Sequence, residues 1–128
     1  MKTELKNRPV LVTGASGGIG AATVRLLVAE GADVIASGRK KEMLSKLASE
    51  TGCRTLPFDL ALEDSVKNAL DGVELFGVVN CGGWGGEIAT PMETDVAVFD
   101  KVHEINARGT LLVTKYASQN MVKSGKGG

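Results

Sequence analysis

The sequence is poor in cysteine, histidine and aromatic residues: its 128 residues include two cysteines, one histidine, one tryptophan, one tyrosine and three phenylalanines. Two cysteines, Cys53 and Cys81, do not suffice for a disulfide framework, so we expect both to be thiols in a reducing compartment. Histidine, cysteine and acidic residues do not cluster at ligand spacing, and we therefore predict no metal site.

The sequence also lacks an excess of either charge. The charges of fifteen basic and fifteen acidic residues cancel. The sequence has no basic stripe with interleaved aromatic residues, so nucleic acid and anionic membrane surfaces are poor candidates as partners. No run approaches the ~18 apolar residues that span a bilayer, and residues 1–9 are polar without the apolar core of a signal peptide. These absences predict a cytoplasmic protein with a small-molecule partner.

Glycine, in contrast, is abundant, at 17 residues. The first cluster, between Gly14 and Gly20, follows a β-branched run and precedes apolar residues at helical spacing, which predicts a strand-to-helix turn. Backbone N–H groups at a helix N-terminus attract anions, and glycine has no Cβ to block that approach. The spacing differs from Gly-x-Gly-x-x-Gly, and no Gly-Lys-Ser/Thr follows, which excludes a nucleotide-hydrolysing phosphate loop. We predict a dinucleotide site with a longer turn; the alternative is a turn that is merely glycine-rich.

Strand and helix patterns alternate along the chain. Strands are predicted at 10–13, 33–36, 54–58 and 77–79, and helices at 18–30, 40–51, 62–70 and from 95 onward. This alternation predicts an α/β fold, a Rossmann-type doubly wound parallel sheet of strand order 3-2-1-4 with helices on both faces. Pro57 places the third strand at an edge. The length allows one domain, residues 1–128.

Two cations follow the second strand. In dinucleotide-binding folds that bind NAD, a carboxylate at this position accepts a hydrogen bond from the free ribose 2′-hydroxyl. This segment reads Ser37, Gly38, Arg39, Lys40. A guanidinium at Arg39 suits a 2′-phosphate, so we predict NADP rather than NAD as the cofactor. The alternative is that Arg39 and Lys40 are solvated cations that open a surface helix.

Two further positions at strand ends have open interpretations. Asp59 either accepts a hydrogen bond from an adenine amino group or caps the following helix. Trp84, in a second glycine cluster at 82–86, either lines a substrate pocket or covers part of the core.

Taken in order and spacing, four motifs resemble the short-chain dehydrogenase/reductase family from about residue 7 to 128: Thr13-Gly14-x-x-x-Gly18-x-Gly20, Asp59, Asn80-Cys81-Gly82-Gly83 and Asn106. The Arg39 position is similar to the NADP-preferring carbonyl reductases of that family. The usual turn has a second asparagine at the position of Cys81 and alanine at that of Gly82, so this sequence departs from the pattern there.

The resemblance implies roles for individual residues. The pyrophosphate and ribose would be held by the first glycine cluster, through Gly14, Ser16, Gly17, Gly18, Ile19 and Gly20. Asp59 and Leu60 would border adenine, whereas Asn80, Cys81 and Gly82 would flank the nicotinamide-side ribose. Asn106 would be the family's helix asparagine, whose main chain helps to hold a water in a proton relay to a catalytic lysine.

The activity implied is an NADP-dependent oxidoreductase that transfers a hydride between nicotinamide and a carbonyl or alcohol substrate. The family's catalytic serine, tyrosine and lysine have no counterpart here, since Asn120 stands four residues after Tyr116 where the lysine is needed. We therefore expect the N-terminal part of such an enzyme, truncated before a fifth strand and inactive alone. The alternatives are a non-catalytic dinucleotide-binding module and a structural fragment. An uncovered strand edge at 77–79 and an apolar stripe on the last helix would invite association, and the resemblance implies a homo-oligomer.

Overall fold

The computed structural model describes residues 4–127 and contains a four-stranded parallel sheet of order β3-β2-β1-β4, as predicted. The predicted domain ends, residues 1 and 128, lie outside the described residues. The strands are β1 Pro9–Thr13, β2 Asp33–Ala36, β3 Arg54–Thr55 and β4 Gly77–Asn80. The helices are α1 Gly18–Ala29, α2 Lys41–Thr51, α3 Glu63–Leu70, α4 Val96–His103 and α5 Gly109–Ser124, and a π-helical turn, Glu104–Arg108, joins the last two.

Helices cover both faces of the sheet because successive side chains of a strand point to opposite faces. One core combines strand residues with residues of α3 and α5, including Leu11, Ile35, Val66 and Val113. The other combines strand residues with residues of α1 and α2, including Val12, Val34, Val24 and Leu44. The strands are therefore held from both sides, and their carboxyl ends stand at a fixed edge of the sheet.

The third strand lies at the edge of the sheet, as predicted, but it is shorter than the predicted span 54–58. It pairs with β2 only at Arg54 and Thr55. The N–H of Leu56 still donates to the carbonyl of Ala36, at 2.9 Å. The pairing stops where β2 ends, at Ala36, and the nitrogen of Pro57 faces the free side of the edge strand, where a missing N–H removes no ladder hydrogen bond.

The apolar spacing of the sequence predicts that Met43 and Leu62 face inward, but both side chains are exposed. Met43 is 46% exposed, although its neighbour Leu44 in α2 is buried. Leu62 is 58% exposed because α3 begins at Glu63 and Leu62 is its N-cap, outside the first helical turn. The helices α2 and α3 consequently bury fewer apolar side chains than the spacing of the sequence predicts.

The predicted helix from residue 95 onward contains the π-helical turn, which the apolar periodicity did not reveal. Such a turn inserts one extra residue into a helix and often marks a functional site. Directly after it, a Cβ at Gly109 would lie 2.9 Å from both Cβ and the carbonyl oxygen of Leu60. Gly109 therefore allows the segment after β3 to contact the helix.

A polar network on the surface connects α3 to α5. The Tyr116 hydroxyl donates to Oε1 of Glu63 at 2.7 Å, and the Lys115 and Arg108 cations lie 3.7 and 3.8 Å from the Glu63 carboxylate. The hydrogen bond from Tyr116, assisted by the two cations, lowers the pKa of Glu63. The same hydrogen bond, accepted by the Glu63 carboxylate, raises the pKa of Tyr116.

We expect Tyr116→Phe to lower stability near neutral pH and to weaken its pH dependence. Folding lowers the pKa of Glu63, so its contribution is present above an unfolded-state pKa of about 4.3 and is lost as pH falls through the folded-state pKa. Folding raises the pKa of Tyr116, so its contribution is complete below about pH 10 and is lost as pH rises through the folded-state pKa. Thermal midpoints of wild type and Tyr116→Phe should differ most between about pH 5 and 9 and converge on either side. A constant difference from pH 3 to 11 would contradict the coupling.

Candidate functional site

The carboxyl ends of the strands surround a cleft of about 260 Å³. This is the edge at which open parallel sheets bind ligands, near the point where strand order reverses. Four segments selected from the sequence meet there: the first glycine cluster, the residues after β2, the segment at Asp59 and the second glycine cluster. The predicted cofactor-binding residues that line the cleft are Gly14, Ser16, Gly17, Arg39, Asp59, Leu60, Cys81 and Gly82.

The remaining predicted residues lie around the cleft rather than in its lining. Gly18, Ile19 and Gly20 form the first turn of α1. Asn80 ends β4 with an exposed side chain, whose amide donates to Oγ1 of Thr114 in α5 at 3.3 Å. Asn106 lies in the π-helical turn.

The first glycine cluster forms a tight turn against the second. Gly14 has φ +63°, and a Cβ there would lie 2.6 Å from the carbonyl oxygen of Cys81. A Cβ at Gly20 would in turn collide with the carbonyl oxygen of Gly14. The N-cap of α1, Gly17, supplies no side-chain acceptor, which leaves N–H groups of the first helical turn available to an anion. This turn leaves space for a phosphate group, and we call it the Gly14 cradle. Side chains larger than hydrogen at Gly14 or Gly20 would fill that space.

Arg39 and Lys40 place two cations on the wall of the same cleft. Both side chains are exposed, and neither has a hydrogen-bond or ion-pair partner within residues 4–127. Arg25 and Arg54 differ in this respect, because each forms two hydrogen bonds with a carboxylate, that of Glu50 or Asp33. The cations after β2 therefore stand free beside the cleft, and this arrangement suits a phosphate.

Asp59 closes a local turn at the cleft. Its Oδ1 accepts a hydrogen bond from the N–H of Ala61 at 2.9 Å, and its own N–H donates to Oγ of Ser65 at 3.0 Å. The N-cap of α3 is Leu62, so the interpretation of Asp59 as the cap of that helix is wrong. Oδ2 of Asp59 has no hydrogen-bond partner in the described part of the chain and can accept one from a ligand.

The second glycine cluster is attached to the end of β1. Thr13 is buried, and its Oγ1 accepts a hydrogen bond from the N–H of Gly82 at 3.1 Å. Cys81 is half-buried, with Sγ 3.9 Å from Oγ1 of Thr23 in α1. Thr13 was not among the predicted site residues, although it directly precedes Gly14 in the motif.

Five other lining residues had no assigned role: Ser37, Gly38, Phe58, Gly83 and Ile105. Phe58 directly precedes Asp59, and its position after Pro57 could have marked it as a residue of the cleft. Ile105 comes from the π-helical turn, far along the chain, and no local pattern places it there. These residues show that the cleft is lined partly through long-range packing.

Asn106 holds the second glycine cluster in place. Its Oδ1 accepts a hydrogen bond from the N–H of Trp84 at 2.8 Å, and its Nδ2 donates to the carbonyl of Trp84 at 2.9 Å. The main-chain carbonyl of Asn106 accepts from the hydroxyl of Thr110 at 2.7 Å. Trp84 itself is half-buried, does not line the cleft, and lies beneath Nζ of Lys101 at 5.5 Å from its ring centre.

We expect Asn106→Ala to release the loop around Trp84. Both hydrogen bonds would be lost, which should lower stability by about 1–2 kcal/mol and accelerate hydrogen exchange at the Trp84 amide. The matched control is Asn68→Ala on the exposed surface of α3, which should change stability by less than about 0.5 kcal/mol. Unchanged exchange at Trp84 in Asn106→Ala would show that the side chain does not hold this loop.

A larger and more open depression, of about 730 Å³, lies on the surface of α4 and the π-helical turn. It is lined by side chains such as Asp100, Lys101, His103 and Arg108. It has neither strand ends nor a glycine turn around it, and nothing in its geometry selects a ligand. We therefore place the candidate site in the smaller cleft.

Within residues 4–127, none of the helices is both long enough and apolar enough to cross a bilayer.

Tyr116 lies in α5, away from the cleft lining. Its pKa is raised, whereas a tyrosine that donates a proton in catalysis requires a lowered pKa.

Comparison with known proteins agrees with the fold and the motifs. The chain is 32% identical to (+)-cis,cis-nepetalactol synthase NEPS3 of Nepeta racemosa over 139 residues, which cover 100% of this chain and 51% of the relative. It is also 32% identical to the mitochondrial (-)-isopiperitenol/(-)-carveol dehydrogenase of Mentha piperita, covering 98% of this chain and 51% of the relative. The chain thus spans about half the length of the relatives it matches.

Solved structures give the same result. A short-chain type dehydrogenase/reductase from Mycobacterium ulcerans superposes with a TM-score of 0.90 at 32% identity, over 98% of this chain and 50% of that one. Serine dehydrogenase from Escherichia coli superposes with a TM-score of 0.85 at 25% identity, over 93% and 58%. The family model described as short chain dehydrogenase matches residues 8–128, and the chain therefore belongs to the short-chain dehydrogenase family.

Proposed function

We propose that this chain binds NADP and forms the cofactor-binding part of an oxidoreductase that acts on a carbonyl or alcohol group. The observation that carries the proposal is the pairing of the Gly14 cradle with free cations at Arg39 and Lys40 in one cleft. A site for a free ribose 2′-hydroxyl would have a carboxylate after β2, and residues 37–40 contain none.

Each part of NADP has a matching group in the cleft. The pyrophosphate would lie at the N-terminus of α1, where the helix dipole and free N–H groups favour an anion. The 2′-phosphate would lie against Arg39, whose planar guanidinium can bind it through two hydrogen bonds. Oδ2 of Asp59 would accept from the adenine amino group, and Leu60 and Ile105 would contact the ring.

The size of the cleft bears on how the cofactor lies. About 260 Å³ is below the roughly 300–1,000 Å³ of typical small-molecule pockets, so it suits the adenosine end better than a whole dinucleotide. The nicotinamide end would extend past Cys81 and Gly82 toward the open edge of β4. When bound, NADP supplies the hydride-transfer chemistry, and this chain's residues supply binding and orientation.

The reaction class rests on the family and on the names of relatives, one of which is the carveol dehydrogenase of Mentha piperita. We propose that hydride transfer needs a serine, a tyrosine and a lysine beyond those that residues 1–128 supply. Tyr116 supports this view, because its hydroxyl is bonded to Glu63 and Asn120 follows it at the lysine position. By itself the chain would then be a dinucleotide-binding module without turnover.

We propose further that residues 1–128 form one domain that works in the cytoplasm as a homo-oligomer. The free thiols of Cys53 and Cys81 support a reducing compartment. Exposed apolar side chains on α4 and α5, namely Val96, Phe99, Leu111 and Val122, support association.

Titration with NADPH and with NADH tests the proposal. Trp84, within the second glycine cluster, should report binding through its fluorescence. An arginine–phosphate contact is worth roughly 1.5–3 kcal/mol, so NADPH should bind at least about tenfold more tightly than NADH. Equal affinities would overturn the choice of NADP, and no binding of either nucleotide at millimolar concentration would overturn the dinucleotide site.

A further inference from the structure

Ser37 carries a buried hydroxyl with no internal partner. The residue is 1% exposed, and its Oγ is the only buried side-chain nitrogen or oxygen in residues 4–127 without a hydrogen-bond partner. Its backbone is fully used, since its N–H donates to the carbonyl of Val12 and its carbonyl accepts from the N–H of Ala15, both at 2.9 Å. Burying a hydroxyl unpaired is unfavourable, so such a group in a native structure requires an explanation.

The position of Ser37 supplies one. The residue lines the cleft, directly before Gly38 and Arg39, and Phe58 and Asp59 line the same cleft. The other buried polar residue of the lining, Thr13, is in contrast satisfied, because its hydroxyl accepts from the N–H of Gly82. The unpaired hydroxyl is therefore located where a ligand is expected and not elsewhere in the core.

We propose that the Ser37 hydroxyl is a ligand-binding group that hydrogen bonds to the adenosine half of the bound dinucleotide. The adenosine half is favoured because Ser37 directly precedes Gly38 and Arg39, the segment proposed to hold the 2′-phosphate, and that phosphate is carried by the adenosine ribose. This inference rests on the proposed function. It assigns to Ser37 a contact with the cofactor that the sequence motifs did not indicate.

The proposal predicts effects of opposite direction on the free and the bound chain. Ser37→Ala removes an unpaired polar atom at nearly constant shape, so the thermal midpoint of the free chain should stay the same or rise. The same change removes one hydrogen bond to the ligand, so the Kd for NADPH should rise about fivefold. A residue kept only for packing would show no loss of affinity.

The experiment measures thermal midpoints without ligand, and dissociation constants for NADPH and for 2′,5′-ADP, which retains the adenosine half and both phosphates next to it. Ser37→Ala should weaken both ligands by the same factor. The control is Ser49→Ala in α2, whose exposed hydroxyl donates to the carbonyl of Ser45, and which should leave both dissociation constants unchanged.

Several outcomes would overturn the proposal. Unchanged affinity in Ser37→Ala would do so, as would a lowered midpoint of the free chain, because the hydroxyl would then have a structural partner. Weaker NADPH with unchanged 2′,5′-ADP would place its partner outside the adenosine half. If the wild-type chain binds neither ligand, the proposed function fails, and the inference fails with it. If the wild-type chain binds both ligands and Ser37→Ala binds them equally well, only the inference fails.

Discussion

Gly14→Ala should destabilise the chain by about 3 kcal/mol and abolish measurable NADPH binding. Two costs add at this position. A φ of +63° is unfavourable for any residue with a Cβ, and that Cβ would lie 2.6–2.7 Å from the Cys81 carbonyl and from Cα of Gly82. Both neighbours are backbone atoms, so relief of the clash requires the two glycine clusters to separate. That movement would open the cradle in which the pyrophosphate is proposed to lie.

The matched control is Gly18→Ala, four residues further along the same cluster. A Cβ at Gly18 would meet no atom within 4 Å. Alanine is also the better helix former in the first turn of α1, so stability should change by no more than about 0.5 kcal/mol. Chemical denaturation gives the stabilities, and NADPH titration below the unfolding midpoint gives the affinities. A Gly14→Ala variant with wild-type stability and affinity would contradict the predicted role of the turn.

The double variant Gly38→Asp with Arg39→Ala should reverse cofactor preference. The change removes the guanidinium proposed to bind the 2′-phosphate and adds a carboxylate that repels the phosphate and can accept from a free 2′-hydroxyl. Each effect is worth roughly 1.5–3 kcal/mol, so the NADPH/NADH affinity ratio should fall on the order of 100-fold or more.

The structure has room for this substitution. A Cβ at Gly38 would lie 3.3 Å from Oγ of Ser16 and 3.7 Å from Cδ2 of Leu44, and rotation of the Ser16 hydroxyl relieves the closer contact. The control is Arg54→Ala, which removes an arginine that is paired with Asp33 outside the cleft and should leave the affinity ratio unchanged. A double variant with the wild-type ratio would show that the 2′-phosphate site lies elsewhere.

Much of the fold could be predicted from local pattern. Glycines separate short apolar strands from amphipathic helices, and parallel strands joined by right-handed crossovers leave few strand orders open. The order β3-β2-β1-β4 and the edge position of β3 were predicted correctly for this reason. The end of β3 at Thr55 was not predicted, because it depends on where the neighbouring strand β2 ends, at Ala36, and the apolar pattern of residues 54–58 does not contain that information.

The cleft was predicted less completely because part of it depends on contacts between distant residues. Asn106 bonds to Trp84, 22 positions away. Gly109 packs on Leu60, and the π-helical turn that brings Ile105 to the cleft left no mark in the apolar spacing. The unpaired hydroxyl of Ser37 is a property of the folded chain, since serine at a strand end is ordinarily satisfied by solvent.

The most direct test of the dinucleotide site is to map NADPH onto the backbone of the ¹⁵N-labelled chain by NMR. We predict the largest amide shifts in four segments that are distant in sequence and adjacent in the cleft: at Gly14–Gly17, at Gly38–Lys40, at Asp59–Ala61 and at Cys81–Gly83. Residues of the open depression on α4, such as Asp100 and His103, should not shift. Shifts confined to that depression, or none with NADPH in saturating excess, would contradict the proposed site.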